Sequence, residues 1–182
     1  MWPLGHVAIG YLLYSGSTRW RFETPPEPIA VFVVVFGSLF PDLIDKPLSW
    51  YGGVLPTGRT LAHSLVVLIP LCIALYLVFR QRDRPELAIA FAIGAISHAI
   101  VDAIPSLWNP DFVPTFLLYP LIEVEPYEEG PPAVTAMLVD QLTSPWFHLE
   151  FVLAIMAFIL WRRDGYPGLE RLKLNKLRSN SS

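Results

Sequence analysis

The apolar residues of this chain come in blocks. Leu61–Phe79 reads LAHSLVVLIPLCIALYLVF, Glu86–Ile104 reads ELAIAFAIGAISHAIVDAI and Trp146–Trp161 reads WFHLEFVLAIMAFILW. The first two reach the roughly 20 residues that carry a helix across a bilayer, and the third is slightly short. Two earlier blocks, Pro3–Tyr14 and Pro28–Phe40, are shorter still. At about 1.5 Å per residue the latter spans roughly 20 Å, less than a ~30 Å hydrocarbon core, unless it extends through Asp45. The pattern predicts an all-α, polytopic membrane helical bundle with three full spanning helices plus two shorter N-terminal helices.

Local signals refine this. Pro41 should open a new helical turn, Pro70 should kink the third block, and Thr60 should cap the helix that follows it. Pro131–Leu142 should form a short amphipathic helix. The aromatic-rich stretch PSLWNPDFVPTFLLYP, Pro105–Pro120, should lie at the membrane interface, where Trp and Tyr are favoured. Residues 1–163 read as one integral membrane domain and residues 164–182 as a basic cytoplasmic tail.

Composition agrees. Hydrophobic residues make up 53% of the 182 and charged residues 16%, against roughly 25% charged in an ordinary soluble domain. The net charge of −3 and the absence of a basic stripe with interleaved aromatics argue against nucleic acid as a partner. The single cysteine, Cys72, lies within an apolar run. No basic residue precedes the first apolar stretch and no small-residue cleavage site stands out, so no secretory signal is expected.

Charge placement predicts an orientation. Arg162, Arg163, Arg171, Lys173, Lys176 and Arg178 mark one side as cytoplasmic. Walking back from there, the turn with Arg80, Arg82 and Arg84 and the turn with Arg19 and Arg21 fall on the same side. The segment Pro105–Pro145 falls outside; it holds Asp111, Glu123, Glu125, Glu128, Glu129 and Asp140 and no Lys or Arg. Of the 13 Lys and Arg, only Lys46 and Arg59 are external. A soluble bundle has no reason to sort charge this way, so the chain is expected in the cell membrane, with its C-terminus cytoplasmic.

The same walk brings all four histidines, His6, His63, His98 and His148, to the external face with Asp42, Asp45, Asp102 and Glu150. His98 and Asp102 are four apart in an otherwise greasy helix, so their side chains meet or hold something between them. Ionisable groups in membrane helices are costly and tend to mark functional sites. The bland alternatives are a His98–Asp102 hydrogen bond, Asp42 at a helix N-terminus, and Asp45 paired with Lys46 or Arg59. Imidazoles and carboxylates together are ligands of Zn, or of non-haem Mn or Fe. A metal with an open position brings the pKa of bound water near 7. The candidate ligands are His6, Asp45, His63, His98 and Asp102. Arg59, a forked guanidinium, would orient an anionic group. Asp42 or Glu150 would be the general base. His148 and Glu150, two apart, do not share a helix face.

With these residues assembled, the chain resembles the LexA-regulated, YdjM-like family of predicted membrane-bound metal-dependent hydrolases. The likeness is carried in order by His6, GSLFPDLID, GRTLAHSL, GAISHAIVDAI and FLLYPL with Pro120. Family members often read His-Arg-Gly-x-Thr-His-Ser in the third piece; here Gly58 to Ser64 lacks the first histidine. A more distant likeness, to zinc-dependent phospholipase C and P1-type nucleases, implies that Asp45 or Asp42, His63, His98 and Asp102 bind one zinc, with His6 on a neighbouring metal bridged by Asp102. The expected function is hydrolysis of a phosphoester, with a membrane lipid among the candidate substrates, at the extracytoplasmic face. The competing readings are a non-catalytic membrane protein with a structural metal or His/Asp clamp, and a small transporter. The bare cytoplasmic halves of the blocks disfavour conduction.

Overall fold

The structure, a computed structural model, describes residues 1–127, 133–143 and 145–169. Glu128, Glu129, the side chain of Asp140 and the tail residues Arg171, Lys173, Lys176 and Arg178 lie outside the described residues. Those described form an all-helical chain with no strand: α1 (Pro3–Phe22), α2 (Pro28–Trp50), α3 (Leu65–Arg80), α4 (Pro85–Ala103), α5 (Val134–Thr143) and α6 (Pro145–Arg163). Two short 3₁₀ turns, Ile104–Leu107 and Thr115–Leu118, follow α4. The short helix expected over Pro131–Leu142 corresponds to α5.

Two stretches, Pro28–Trp50 and Pro85–Leu107, each 23 residues, are long and apolar enough to cross a bilayer. Among the described residues two such stretches, rather than the three expected, meet that length and hydropathy. The block from Leu61 to Phe79 loses its first residues to a loop. Asp45 accepts from the backbone N–H of Thr60, Ala62 and His63, at 2.8, 2.8 and 3.2 Å. The helix cap is Ser64, whose hydroxyl accepts from Val66 N at 3.1 Å, and not Thr60. What remains is the 16-residue α3, about 24 Å long, with Pro70 inside it. The block expected to be short gives the longest helix instead. Pro41 and Pro47 sit inside α2 rather than starting a new element. Proline removes one helical hydrogen bond but is tolerated where neighbouring helices support the turn, and Pro41 is fully buried.

Helices α1 to α4 alternate in direction, and α6 runs parallel to α1: Glu150 near its start meets Trp2, and Asp164 just past its end meets Ser15 and Arg19. α2 packs on α4, α4 also on α3 and α1, and α1 on α2 and α6. The α2–α4 contact is close because two glycines remove side chains from it. A Cβ on Gly94 would lie 2.5 Å from Val34 O and 2.6 Å from Ser38 N, and one on Gly37 would lie 2.6 Å from Phe91 O. Around this contact sit Val34, Ala90, Phe91, Ala95 and Ala99, all buried. The outer surface carries exposed apolar side chains such as Phe32, Leu77, Ile155 and Phe158, as a lipid-facing bundle requires.

Polar groups collect at the two ends. One end holds Arg19, Arg21, Arg80, Arg82, Arg84, Arg162 and Arg163 at helix termini and turns. There Asp164 is buried and accepts from Tyr11 OH at 2.5 Å, Ser15 Oγ at 2.6 Å and Arg19 Nε at 2.7 Å, so residues just past 163 still belong to the packed bundle. Trp161 Nε1 donates to Pro167 O at 3.0 Å in the same region. The histidines and their carboxylates occupy the other end.

Candidate metal centre

Four segments deliver the site. The first turn of α1 brings His6, the second half of α2 brings Asp42 and Asp45, the connection before α3 brings Arg59 and His63, and the last turns of α4 bring His98 and Asp102. His6, Asp45, His63 and His98 are buried to 1% exposure or less.

Each central histidine is oriented by a bond through Nδ1. His98 Nδ1 lies 2.7 Å from the carbonyl oxygen of Ser38, an acceptor only, so Nδ1 carries the proton. His63 Nδ1 lies 2.8 Å from Asp45 Oδ2. Both rings therefore turn Nε2 inward, where the two atoms face each other at 3.1 Å. Asp42 Oδ1 lies 3.6 Å from His63 Nε2 and 3.7 Å from His98 Nε2. That oxygen is buried and has no hydrogen-bond partner. With both imidazoles neutral, three acceptor atoms thus converge; in the metal-free protein a proton on His63 Nε2 lies among them. A triangle with these edges has its centre about 2 Å from each corner, the length of a zinc–imidazole bond. Asp42, His63 and His98 could hold a metal ion.

A second group that could do so is His6, His98 and Asp102. His6 stacks on His98 with ring centroids 3.7 Å apart, and its buried Nδ1 has no partner. His6 Nε2 lies 3.2 Å from Asp102 Oδ1, as does the Met1 amine. The two groups share His98, whose one uncommitted nitrogen serves a single ion.

The remaining candidates fall as follows. Asp45, expected among the ligands, lies behind His63, both its oxygens engaged by backbone N–H groups and by Nδ1. Asp42, expected as a base, stands among the converging atoms. Asp102 Oδ2 is 3.8 Å from His63 Nε2 and accepts from Arg59 Nε at 2.5 Å. Arg59 and His63 do not stack as helical neighbours, since both precede α3; Arg59 reaches Asp102 instead. Glu150 is buried and accepts from Trp2 N at 2.8 Å, holding the start of α1 rather than entering the cluster. His148 is exposed on α6, and neither candidate metal group includes it.

Lys46 belongs to the site, where the sequence offered it only as a partner of Asp45; it pairs with Asp42 instead. Its Nζ donates to Asp42 Oδ2 at 2.6 Å and lies 5.7 Å from the Trp50 ring centroid. Its signals were its spacing four residues from Asp42 and its place as one of two external cations. Ser38 and Phe116 were also missed. Phe116 is buried with its ring 6.0 Å from that of His63, edge to face. It is held there because Ser64 Oγ donates to Tyr119 O. The segment after α4 thus closes over the cluster.

Two groups lie outside the spanning helices and show how the cluster handles charge. Burial works against a charge on His63, but Asp42 and Asp45 outweigh it and hold the imidazole above its ordinary pKa. Burial likewise opposes the Arg59 charge, and the adjacent Asp102 carboxylate raises the guanidinium above its usual value. The Arg59 side chain is 43% exposed, so its terminal nitrogens remain open to a ligand.

Comparison with known proteins is consistent with a membrane protein. The profile of the family described as YdjM inner membrane protein matches residues 1–166, and the chain belongs to that family. No curated protein matches it, and neither does any solved structure.

Proposed function

We propose that this member of the YdjM inner membrane protein family is a metal-dependent hydrolase acting on a phosphoester at the extracytoplasmic face of the membrane. The observation that carries the reading is the convergence of His63 Nε2, His98 Nε2 and Asp42 Oδ1 at the spacing a single metal ion needs. Three acceptors in a low-dielectric interior repel one another unless a proton or a metal cation joins them, and the metal takes the place of the proton on His63 Nε2.

Two imidazoles and one carboxylate at this spacing suit zinc best, with Mn or Fe as chemically allowed occupants. A bound ion with an open position would supply an acidified water and polarise a phosphoryl oxygen. The chain's own residues do the rest. Ser38 and Asp45 fix the tautomers of His98 and His63. Arg59 and Lys46 place two cations beside the cluster and favour an anionic group. Asp102, which engages Arg59, the Met1 amine and His6, holds Arg59 beside the cluster. Phe116 keeps bulk water off His63. Sidedness follows from the opposite placement of the arginine-rich end, which the positive-inside rule assigns to the cytoplasm.

The rival reading is a structural ion that clamps α2, α4 and the Arg59–His63 connection, and the deep burial of both imidazoles favours it. Elemental analysis of detergent-purified protein beside Asp42→Ala and His98→Ala variants tests the centre. A stoichiometric metal in the wild type and its loss in both variants are expected. No metal in the wild type overturns the proposal. A metal-replete protein inert on a panel of phosphoesters moves the centre to the structural role.

A further inference from the structure

We propose that the arginine-rich end of the bundle binds an ethanolamine phospholipid, with the headgroup in a pocket beside Arg21 and one acyl chain in the furrow between α1 and α4. The site lies at the end opposite the histidines and does not depend on the hydrolase reading.

Two hollows share a wall. A pocket of about 630 Å³ is lined by the end of α1, the connection to α2 and the start of α4, with Tyr14, Ser17, Arg21, Glu27 and Glu86 among its residues. An aliphatic furrow of about 540 Å³ between α1 and α4 is lined by Ile9, Leu13, Ile96 and Ile100. Ile89 and Ile93 line both. Helical spacing makes them continuous. Ile9, Leu13, Ser17 and Arg21 are each four residues apart on α1. Ile100, Ile96, Ile93, Ile89 and Glu86 follow steps of three or four on α4, so each set forms one slanted stripe. The start of α1 meets the end of α4, where His6 stacks on His98. Both stripes therefore run from aliphatic to charged in the same direction. From Ile100 to Ile89 the furrow covers about 17 Å at 1.5 Å per residue, close to one leaflet of a ~30 Å hydrocarbon core. A lipid of the leaflet on the arginine-rich side has its headgroup level with the pocket and its chain along the furrow.

Charge selects the headgroup. Among the described residues Arg21 pairs with no carboxylate; its guanidinium carbon lies 5.5 Å from the Phe22 ring centroid. A phosphate suits such a fork of donors. Glu27 and Glu86 are bridged by Arg84, which bonds both oxygens of Glu27 but only Oε1 of Glu86. Oε2 of Glu86 remains as an acceptor for a primary ammonium. A purely anionic headgroup would meet two carboxylates as well as Arg21, and a trimethylated one has no N–H to donate. Phosphate and primary ammonium together match both signs. Trp20, 88% exposed, and Phe22, 62% exposed, also line the pocket, and Trp in particular belongs at headgroup depth.

Titration of the full chain in one detergent with dioleoyl-phosphatidylethanolamine, -phosphatidylglycerol and -phosphatidylcholine, read by native mass spectrometry, tests this. One ethanolamine lipid per chain is expected, bound about tenfold more tightly than either of the others, the worth of one hydrogen bond to a charged group. Arg21→Ala should weaken it by about the same factor. Glu86→Gln should bring the ethanolamine and choline lipids to near equality. Ile89→Trp blocks the junction of pocket and furrow, and Leu13→Trp narrows the furrow should the first not fold; each should release the ethanolamine lipid while metal content stays as in the wild type. Equal binding of the three lipids, a preference for the glycerol lipid, or tight binding that survives in folded Arg21→Ala or Ile89→Trp protein overturns the proposal. The presence or absence of a metal bears on the hydrolase reading alone, which keeps the two failures apart.

Discussion

His98 Nδ1 donates to the carbonyl oxygen of Ser38 at 2.7 Å, across the line where the α2 and α4 backbones approach most closely. One bond fixes the imidazole tautomer and records the helix separation, so site geometry and helix packing are coupled.

That coupling makes Gly94 a sensitive position. A methyl there would collide with Val34 O and Ser38 N, both backbone atoms that only a helix shift can move. Gly94→Ala should destabilise the protein by about 1–3 kcal/mol and weaken metal binding. Thermal unfolding in detergent and metal content measured together check this; a normal metal affinity would mean that His98 is held independently of the helix contact.

Asp45 acts through His63. It accepts from three backbone N–H groups as well as Nδ1. Asp45→Asn keeps the size and loses the charge, and metal affinity should fall about 10–100-fold, the usual effect of removing a ligand's hydrogen-bond partner. Competition against a chelating dye measures it. An unchanged affinity would show that the loop alone orients the ring.

Metal binding should depend on pH through His63. Its pKa is raised in the folded, metal-free protein, so its proton stabilises the metal-free fold below the ordinary imidazole value. That contribution is lost as pH rises through the raised value. A metal requires Nε2 bare, so its affinity should increase with pH across the same window, with release of a proton on binding. Calorimetry in two buffers of different ionisation enthalpy counts that proton; a count of zero would place the bound proton elsewhere.

Asp164 provides a contrast at the opposite end. Its buried carboxylate takes bonds from Tyr11, Ser15 and Arg19. Asp164→Ala leaves these without an acceptor and should cost up to about 3 kcal/mol, the low end for breaking a buried pair, because Arg19 stays reachable by water. Metal per folded molecule should not change. Loss of metal from the folded fraction would show that the two ends are linked.

The sequence by itself determined the helical class, the membrane character and the placing of the four histidines and the acids at one end, of which His6, His63 and His98 form the cluster. Block hydropathy, charge sorting and four-residue spacing are local properties that survive without tertiary contacts. Helix lengths were decided by the fold. Asp45 draws residues 60–63 into a loop and shortens α3, while burial carries α2 through Pro41. Both effects act between residues distant in sequence. Ligand roles were decided there too. Nothing in the spacing distinguishes Asp42 from Asp45; the backbone N–H groups that engage Asp45 and leave Asp42 Oδ1 without a partner do. A periodic pattern records which face a residue occupies, but which atom of that residue remains unbonded is settled only when a second segment packs against it.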